Sequence, residues 1–106
     1  MPKYLISGSY TAEGLKGLQK DKASGRQQAV RTAIEGLGGR LEGLYYALGE
    51  DDVYLIADLP DNVTATAVGV TASATGLVRT RTVALMTVEE VDRALEKNIQ
   101  YRPPGG

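Results

Sequence analysis

The chain contains no cysteine, no histidine, no tryptophan and no phenylalanine. Without cysteine there are no disulfides, thiolate nucleophiles or thiolate metal ligands, and without histidine the usual proton carrier at neutral pH is missing. Acid–base chemistry would therefore fall to Asp, Glu, Lys or Tyr, and a metal would need a site made of oxygen ligands alone. We expect neither a metal nor a redox cofactor.

An excess of charge of one sign is also lacking, since 12 Lys and Arg residues nearly balance 13 Asp and Glu residues. A net charge of −1 offers no strong field toward nucleic acid or an anionic membrane. The apolar run in MPKYLISGSY is too short for a signal peptide or a spanning helix. We therefore expect a cytoplasmic protein that binds neither nucleic acid nor membranes.

The patterns that are present predict one domain over residues 1–100 and a flexible tail over 101–106. Strands are predicted at 3–10, 40–48, 52–59 and 77–86, with a tight hairpin between the second and third. A first helix follows Thr11, is broken by glycines near 20–25 and ends at Gly38-Gly39. Asp61 caps a second helix, and TVEE forms a capping box for a third, with Val88, Val91 and Leu95 facing inward.

This β-α-β-β-α-β order with an extra C-terminal helix is typical of the ferredoxin-like α+β fold, in which a four-stranded antiparallel sheet carries its helices on one face. The strands place apolar residues in both side-chain phases. The face without helices therefore needs a cover, and a second copy of the chain would supply one.

Three segments, SYTAEG, LGGRLEGLYYALGEDDVYLIADLPD and LMTVEEVDRALEK, occur in this order. Together they resemble the GYD-domain family of small bacterial proteins, and the resemblance covers nearly the whole chain. It implies a dimeric α+β barrel that forms a homodimer or higher homo-oligomer, but no settled activity, because the superfamily holds both enzymes and non-catalytic proteins. The resemblance places the Gly-Tyr-Asp signature within LGEDD, with Asp51 where Tyr is usual.

Five carboxylates stand close together in YYALGEDDVYLIADLPD, residues 45–61. Four of them have structural roles in a turn, at a strand start or at a helix cap: Glu50, Asp51, Asp52 and Asp61. Asp58 differs, because it lies within a strand in phase with Tyr54 and needs a partner or water there.

Two arginines, Arg79 and Arg81, lie two residues apart in VRTRT and so share a strand face. They would either protect an exposed sheet edge from pairing, or pair with Asp58 and hold an anionic ligand. The tyrosines at 10, 45 and 46 would either pack in a core or interface, or line a small-molecule pocket beside Ser7 or Ser9. Four basic residues on or near the first helix would form a solvated face or a flap over such a pocket: Lys16, Lys20, Lys22 and Arg26.

The leading hypothesis is a self-associating α+β-barrel protein that binds or transforms a small organic, even anionic, molecule. The cleft would lie between the sheet and its helices or between two sheets. Asp58 as base and Tyr10 as hydrogen-bond donor are the candidate catalytic residues. The candidate ligand-binding residues are Ser7, Ser9, Tyr54, Arg79 and Arg81. The alternative is a non-catalytic structural or regulatory oligomerisation module without a ligand pocket.

Overall fold

The computed structural model describes residues 1–106 and has seven elements. They are β1 (Lys3–Tyr10), α1 (Ala12–Gly36), β2 (Arg40–Tyr46), β3 (Val53–Asp58), α2 (Asn62–Ala74), β4 (Val78–Leu85) and α3 (Val88–Leu95). The four strands form one antiparallel sheet in the order β2-β3-β1-β4. The predicted ferredoxin-like α+β fold with an extra C-terminal helix is thus confirmed. None of the helices combines the length and apolarity that crossing a membrane requires.

The hydrophobic core lies between one face of the sheet and the helices α1 and α2. Tyr4 and Ile6 of β1 alternate into it and are 2% and 3% exposed. Their partners on β3 share this side because directly paired residues point the same way. Ile34 of α1 and Ala65 of α2 pack onto the same cluster. This side is called the covered face below.

The helix ends follow the sequence signals. The three predicted N-caps are Thr11, Asp61 and Thr87. The side chain of each accepts a hydrogen bond from the backbone N–H of the residue three positions later in the chain. At the end of α1, Gly38 has a φ of 81°, and the N–H groups of Gly38 and Gly39 donate back to the carbonyls of Glu35 and Ile34. That left-handed turn favours glycine and reverses the chain into β2.

The helix α1 is broken at Lys22, which has φ 67° and ψ 164°. The break falls inside the predicted interval 20–25. This backbone region is essentially reserved for glycine, and a residue with a Cβ pays about 1–3 kcal/mol to occupy it. Lys22 therefore stores strain between the two halves of α1.

Replacing Lys22 by glycine should raise the free energy of unfolding by about 1 kcal/mol, because the relieved strain exceeds the extra chain entropy of glycine. Lys20→Gly is the matched control. Lys20 is exposed within a regular turn of the same helix, so glycine there should cost about 1 kcal/mol. Urea unfolding of both variants measures the difference, and equal destabilisation would show that Lys22 is not strained.

The other side of the sheet carries no helix and is called the bare face. The register places Leu5, Ile56 and Val83 side by side at its centre. Val83 is 53% exposed and Tyr45, near the edge of the same face, is 72% exposed. The second sheet face is therefore apolar in the middle and open to water.

The helix α3 has no buried residue. Its apolar side, Val88, Val91 and Leu95, is 74%, 42% and 77% exposed. The predicted inward packing of these three residues is wrong, because no other element of the same chain lies against them. The strand β4 that precedes α3 forms an edge of the sheet, and α3 does not pack extensively against any other element of the chain.

Candidate functional site

Asp51, in the loop between β2 and β3, is the centre of a polar cluster at one end of the bare face. Its carboxylate forms an ion pair with Arg81 and accepts a hydrogen bond from Ser9 Oγ at 2.9 Å. The hydroxyl of Tyr54 lies 3.5 Å from it. The Arg81 guanidinium holds the pKa of Asp51 below its ordinary value, and the Ser9 hydroxyl acts in the same direction.

Asp52, the residue after Asp51, connects this loop to the end of β1 through two hydrogen bonds. The Asp52 N–H donates to the Gly8 carbonyl at 2.8 Å, and its carboxylate accepts the Tyr10 N–H at 2.8 Å. This anchoring presses Asp51 against the sheet, where it is only 7% exposed. The sequence assigned both residues to turn and strand-start roles, which describes Asp52 better than Asp51.

The five predicted ligand-binding residues all surround this carboxylate. Ser7 lies opposite Tyr54 on one side and Arg81 on the other, and Ser9 lies opposite Arg79. Arg79 forms no ion pair within 4 Å, and it lines a hollow of about 220 Å³ together with Ser9 and Arg81. The set is called the Asp51 cluster, and its function as a ligand site stays a prediction.

Asp58 lies at the opposite end of the bare face. Lys3 Nζ approaches it to 2.9 Å and Arg40 Nη2 to 3.2 Å. These contacts, Lys3 first, hold the pKa of Asp58 below its ordinary value, and Asp58 in turn raises the pKa of Lys3. Asp58 thus has charged partners, as expected for a carboxylate within a strand.

The predicted alternative pairing of Asp58 with Arg79 or Arg81 is not what the structure shows. Asp58 lies opposite Lys3 on β1, whereas Arg81 lies opposite Ser7. Four residues of strand, about 13 Å, separate these two positions. The pairing register of the strands therefore keeps Arg79 and Arg81 away from Asp58. The pattern of a single strand does not reveal that register.

The predicted catalytic residues Asp58 and Tyr10 are not brought together. Asp58 is on the bare face, while Tyr10 contributes to the covered face. The cations beside Asp58 lower its proton affinity, whereas a general base at neutral pH needs a raised one. A catalytic role for either residue stays an untested prediction. No three acidic side chains are grouped so that they could hold a metal ion.

The covered face holds a cleft of about 530 Å³ between α1 and α2. Its floor is the sheet, and its walls are successive turns of the two helices, including Val30 and Ala33 of α1 and Ala67 and Val68 of α2. Fifteen of its 21 lining residues are hydrophobic, so its surface is apolar. It is called the interhelical cleft.

One end of the interhelical cleft is polar. Arg26 of α1, Tyr10 at the end of β1 and Tyr46 at the end of β2 meet there. Burial, with a contribution from the neighbouring Tyr10 hydroxyl, raises the pKa of Tyr46 to about 12. Its hydroxyl therefore keeps its proton at neutral pH and can donate a hydrogen bond.

Arg26 is the residue that sequence reasoning placed on a solvated face or flap. A signal for its true position exists, because Arg26, Val30 and Ala33 lie at helical spacing and so on one side of α1. Arg26 extends the apolar stripe of α1 by one turn toward the end of the sheet. A single charge that continues such a stripe indicates a charged rim to an apolar surface.

The residues of the Asp51 cluster and of the interhelical cleft lie within the part of the chain that matches a known family. The model of the GYD domain matches residues 4–95. The chain belongs to the GYD domain family. The matched residues run from β1 to the end of α3 and confirm the resemblance seen in the sequence. A comparison with curated proteins found no match.

The two carboxylates with lowered pKa values in this GYD domain, Asp51 and Asp58, make the free energy of unfolding depend on pH. Since the folded pKa values of Asp51 and Asp58 lie below the unfolded values, their contribution is complete above about pH 5 and is lost as pH falls through the unfolded and then the folded values. Asp51→Asn should lower the urea midpoint at pH 7 and flatten its decline between pH 5 and pH 2.

Asp92→Asn, on the exposed helix α3 and outside every ion pair, is the control and should follow the native protein at each pH. An Asp51→Asn protein that declines as steeply as the native one would show that the ion pair with Arg81 adds nothing to stability.

Proposed function

We propose that this GYD-domain protein self-associates and binds a predominantly apolar small organic molecule in the interhelical cleft. The observation that carries the proposal is the cleft itself, an apolar space of about 530 Å³ with helices as walls and the sheet as floor. Ligand pockets have volumes of about 300–1,000 Å³ and are mainly apolar with a few polar groups. Removing apolar surface from water is favourable by about 25 cal/mol of free energy per Å². A guest that covers the apolar lining of the cleft gains this free energy on binding.

The volume limits the size of the guest. At about 30 Å³ for each water-sized group, the cleft has room for about 18 such groups. An alkyl chain or a fused aromatic ring system with about 10–15 non-hydrogen atoms therefore fits, whereas a dinucleotide cofactor does not.

Binding, rather than a reaction, is the function that the lining supports. The cleft has no Asp, Glu or Lys among its lining residues, and Arg26 is its single charged group. General acid–base catalysis needs a group that changes protonation near the working pH, whereas an arginine and a tyrosine with a pKa of about 12 hold their protons there.

Decan-1-ol tests the proposal, because it is neutral, apolar and small enough for the cleft. It should bind with one site per chain in isothermal titration calorimetry. Ala67→Phe fills the cleft from α2 and should weaken binding by about tenfold or more, as the loss of buried apolar contact predicts. Ala74→Phe, on the same helix but outside the cleft, should leave affinity unchanged. Equal affinity of both variants, or no binding to the native protein, would refute the proposal.

Self-association is supported by the surface of the isolated chain. A compact monomer of this mass exposes about 5,700 Å², whereas this chain exposes 7551 Å². Its radius of gyration is 17.0 Å, compared with about 13 Å for a compact domain of this length. The excess surface, about 1,800 Å², exceeds the roughly 800 Å² per partner of a standard interface.

The bare face and α3 are the surfaces that a second copy would cover. Four strands with a spacing of about 4.8 Å and a rise of about 3.3 Å per residue give the bare face about 500 Å². That area alone is smaller than a standard interface, and the apolar side of α3 supplies the remainder. Each end of the bare face carries charges of both signs, so a second copy in a two-fold arrangement meets no uniform like charge.

The bare face also favours the second candidate function, a non-catalytic oligomerisation module. In that case the assembly has the same mass, but its clefts take up no ligand. The titration with decan-1-ol separates the two candidates.

A further inference from the structure

We infer that the interhelical cleft selects an apolar acid, a single carboxylate or similar oxyanion on a hydrocarbon or aromatic body. This inference rests on the proposed function, since it names the class of molecule that the same cleft takes up. Three observations carry it: the sign of the only charge in the lining, the donors gathered around that charge, and the direction in which the apolar wall extends from it.

The charge of the lining is positive. Arg26 is the single charged residue among the residues that line the cleft, and no carboxylate is present to receive a cationic ligand. A ligand cation would therefore lose its water of hydration beside a guanidinium, while a ligand anion would gain a charge-assisted hydrogen bond. The cleft should consequently reject amines and favour acids.

The donors converge at the same end. Tyr10 closes β1 and Tyr46 closes β2, and both residues line the cleft. The Tyr46 hydroxyl lies near both the Tyr10 hydroxyl and Arg26. A carboxylate offers two oxygens with about four acceptor positions, which matches an arginine fork together with two hydroxyl donors. The nearest competing anion is Asp21, 3.6 Å from Arg26 Nη1 and half exposed. An ion pair of that length and exposure is weak and leaves most of the guanidinium donors available.

The apolar wall extends away from this end along α1. From Arg26 the lining continues through Val30 to Ile34, a distance of about 12 Å along the helix at about 1.5 Å per residue. The sheet floor beneath it is formed by residues such as Leu44 and Leu55. An acid with its head at Arg26 therefore finds an apolar bed about as long as a ten-carbon chain.

Three probes with the same ten-carbon tail test the inference by titration calorimetry at pH 7.5 and low salt: decanoate, decan-1-ol and decyltrimethylammonium. Decanoate should bind about tenfold more tightly than decan-1-ol, and decyltrimethylammonium about tenfold more weakly, as charge-assisted hydrogen bonding predicts. Arg26→Gln should reduce the advantage of decanoate to about twofold or less while leaving decan-1-ol unchanged.

Arg31→Gln is the matched control, because Arg31 lies on the same helix but does not line the cleft. It should keep the full preference for decanoate. Tyr46→Phe removes one donor without changing the apolar wall and should weaken decanoate alone, by about threefold to tenfold. Neither variant replaces a residue of the hydrophobic core.

The outcomes separate this inference from the proposed function. If decan-1-ol binds and decanoate binds no more tightly, the inference is overturned and the proposed function stands. If none of the three probes binds, the proposed function fails, and the inference with it. If Arg31→Gln and Arg26→Gln reduce the preference equally, the effect is one of general charge, and the assignment of Arg26 is overturned.

Discussion

Gly14→Ala is expected to lower the free energy of unfolding by about 3 kcal/mol, because the new methyl group has no space. A Cβ at Gly14 would overlap the backbone carbonyl of Leu77 and lie 3.1 Å from the Tyr10 ring. The Thr11 N–H also donates to the Leu77 carbonyl at 2.9 Å. The start of α1 is therefore held against the segment that leads into β4, and relief would require both to move.

Gly17→Ala is the control, since no atom lies within 4 Å of the position that its Cβ would take. A glycine inside a helix costs about 0.5–1 kcal/mol relative to alanine where the added methyl group has space, so this variant should be more stable than the native protein. Urea unfolding measured on both variants gives the comparison. Similar midpoints for the two alanines would mean that α1 does not approach Leu77 as the structure shows.

Val83→Glu is expected to turn the proposed assembly into a monomer, raising its dissociation constant by about 100-fold, or about 2.7 kcal/mol. Val83 is at the centre of the bare face and is 53% exposed in the isolated chain. In a two-fold assembly the substitution would bury two carboxylates without partners, and like or unpaired charges in an interface cost several kcal/mol.

The matched control is Val63→Glu, which adds the same charge on α2 at a position that is 78% exposed and away from the bare face. Sedimentation equilibrium at micromolar concentration should give twice the mass of the chain for the native protein and Val63→Glu, and the mass of one chain for Val83→Glu. A native protein that sediments as a monomer would refute self-association through this face.

Local signals determined most of the architecture in advance. Alternation along the strands, the caps at Thr11, Asp61 and Thr87, and the glycines at 38 and 39 each depend on a few neighbouring residues, so a single sequence contains them. The segment of α2 is rich in Val and Thr, a composition that would also suit a strand. It is a helix because its helical spacing and its capping Asp61 agree.

The sites depended on information that lies between segments. Asp51 looks like a turn residue until β1 is placed beside the hairpin, and only then do Ser9 and Arg81 reach it. Asp58 looks unpaired until Lys3 is set opposite it. Arg26 joins Tyr10 and Tyr46 only once α1 is placed along the sheet beside the ends of β1 and β2.

The failure of the prediction for α3 has the same origin. An amphipathic pattern shows that Val88, Val91 and Leu95 share one side of a helix, but not which surface covers that side. Within one chain they face water. The pattern therefore predicts that this side of α3 packs against another surface, but that surface does not have to belong to the same chain.

The most direct measurement of the central claim is a methyl-resolved NMR titration of the protein with decan-1-ol. Occupation of the interhelical cleft should shift the methyl signals of Val30, Leu44, Val68 and Val78, all of which line it. The signals of Val83 on the bare face and Val91 on α3 should stay in place. Shifts confined to those two, or no shifts at all, would contradict the claim that the cleft is a binding site.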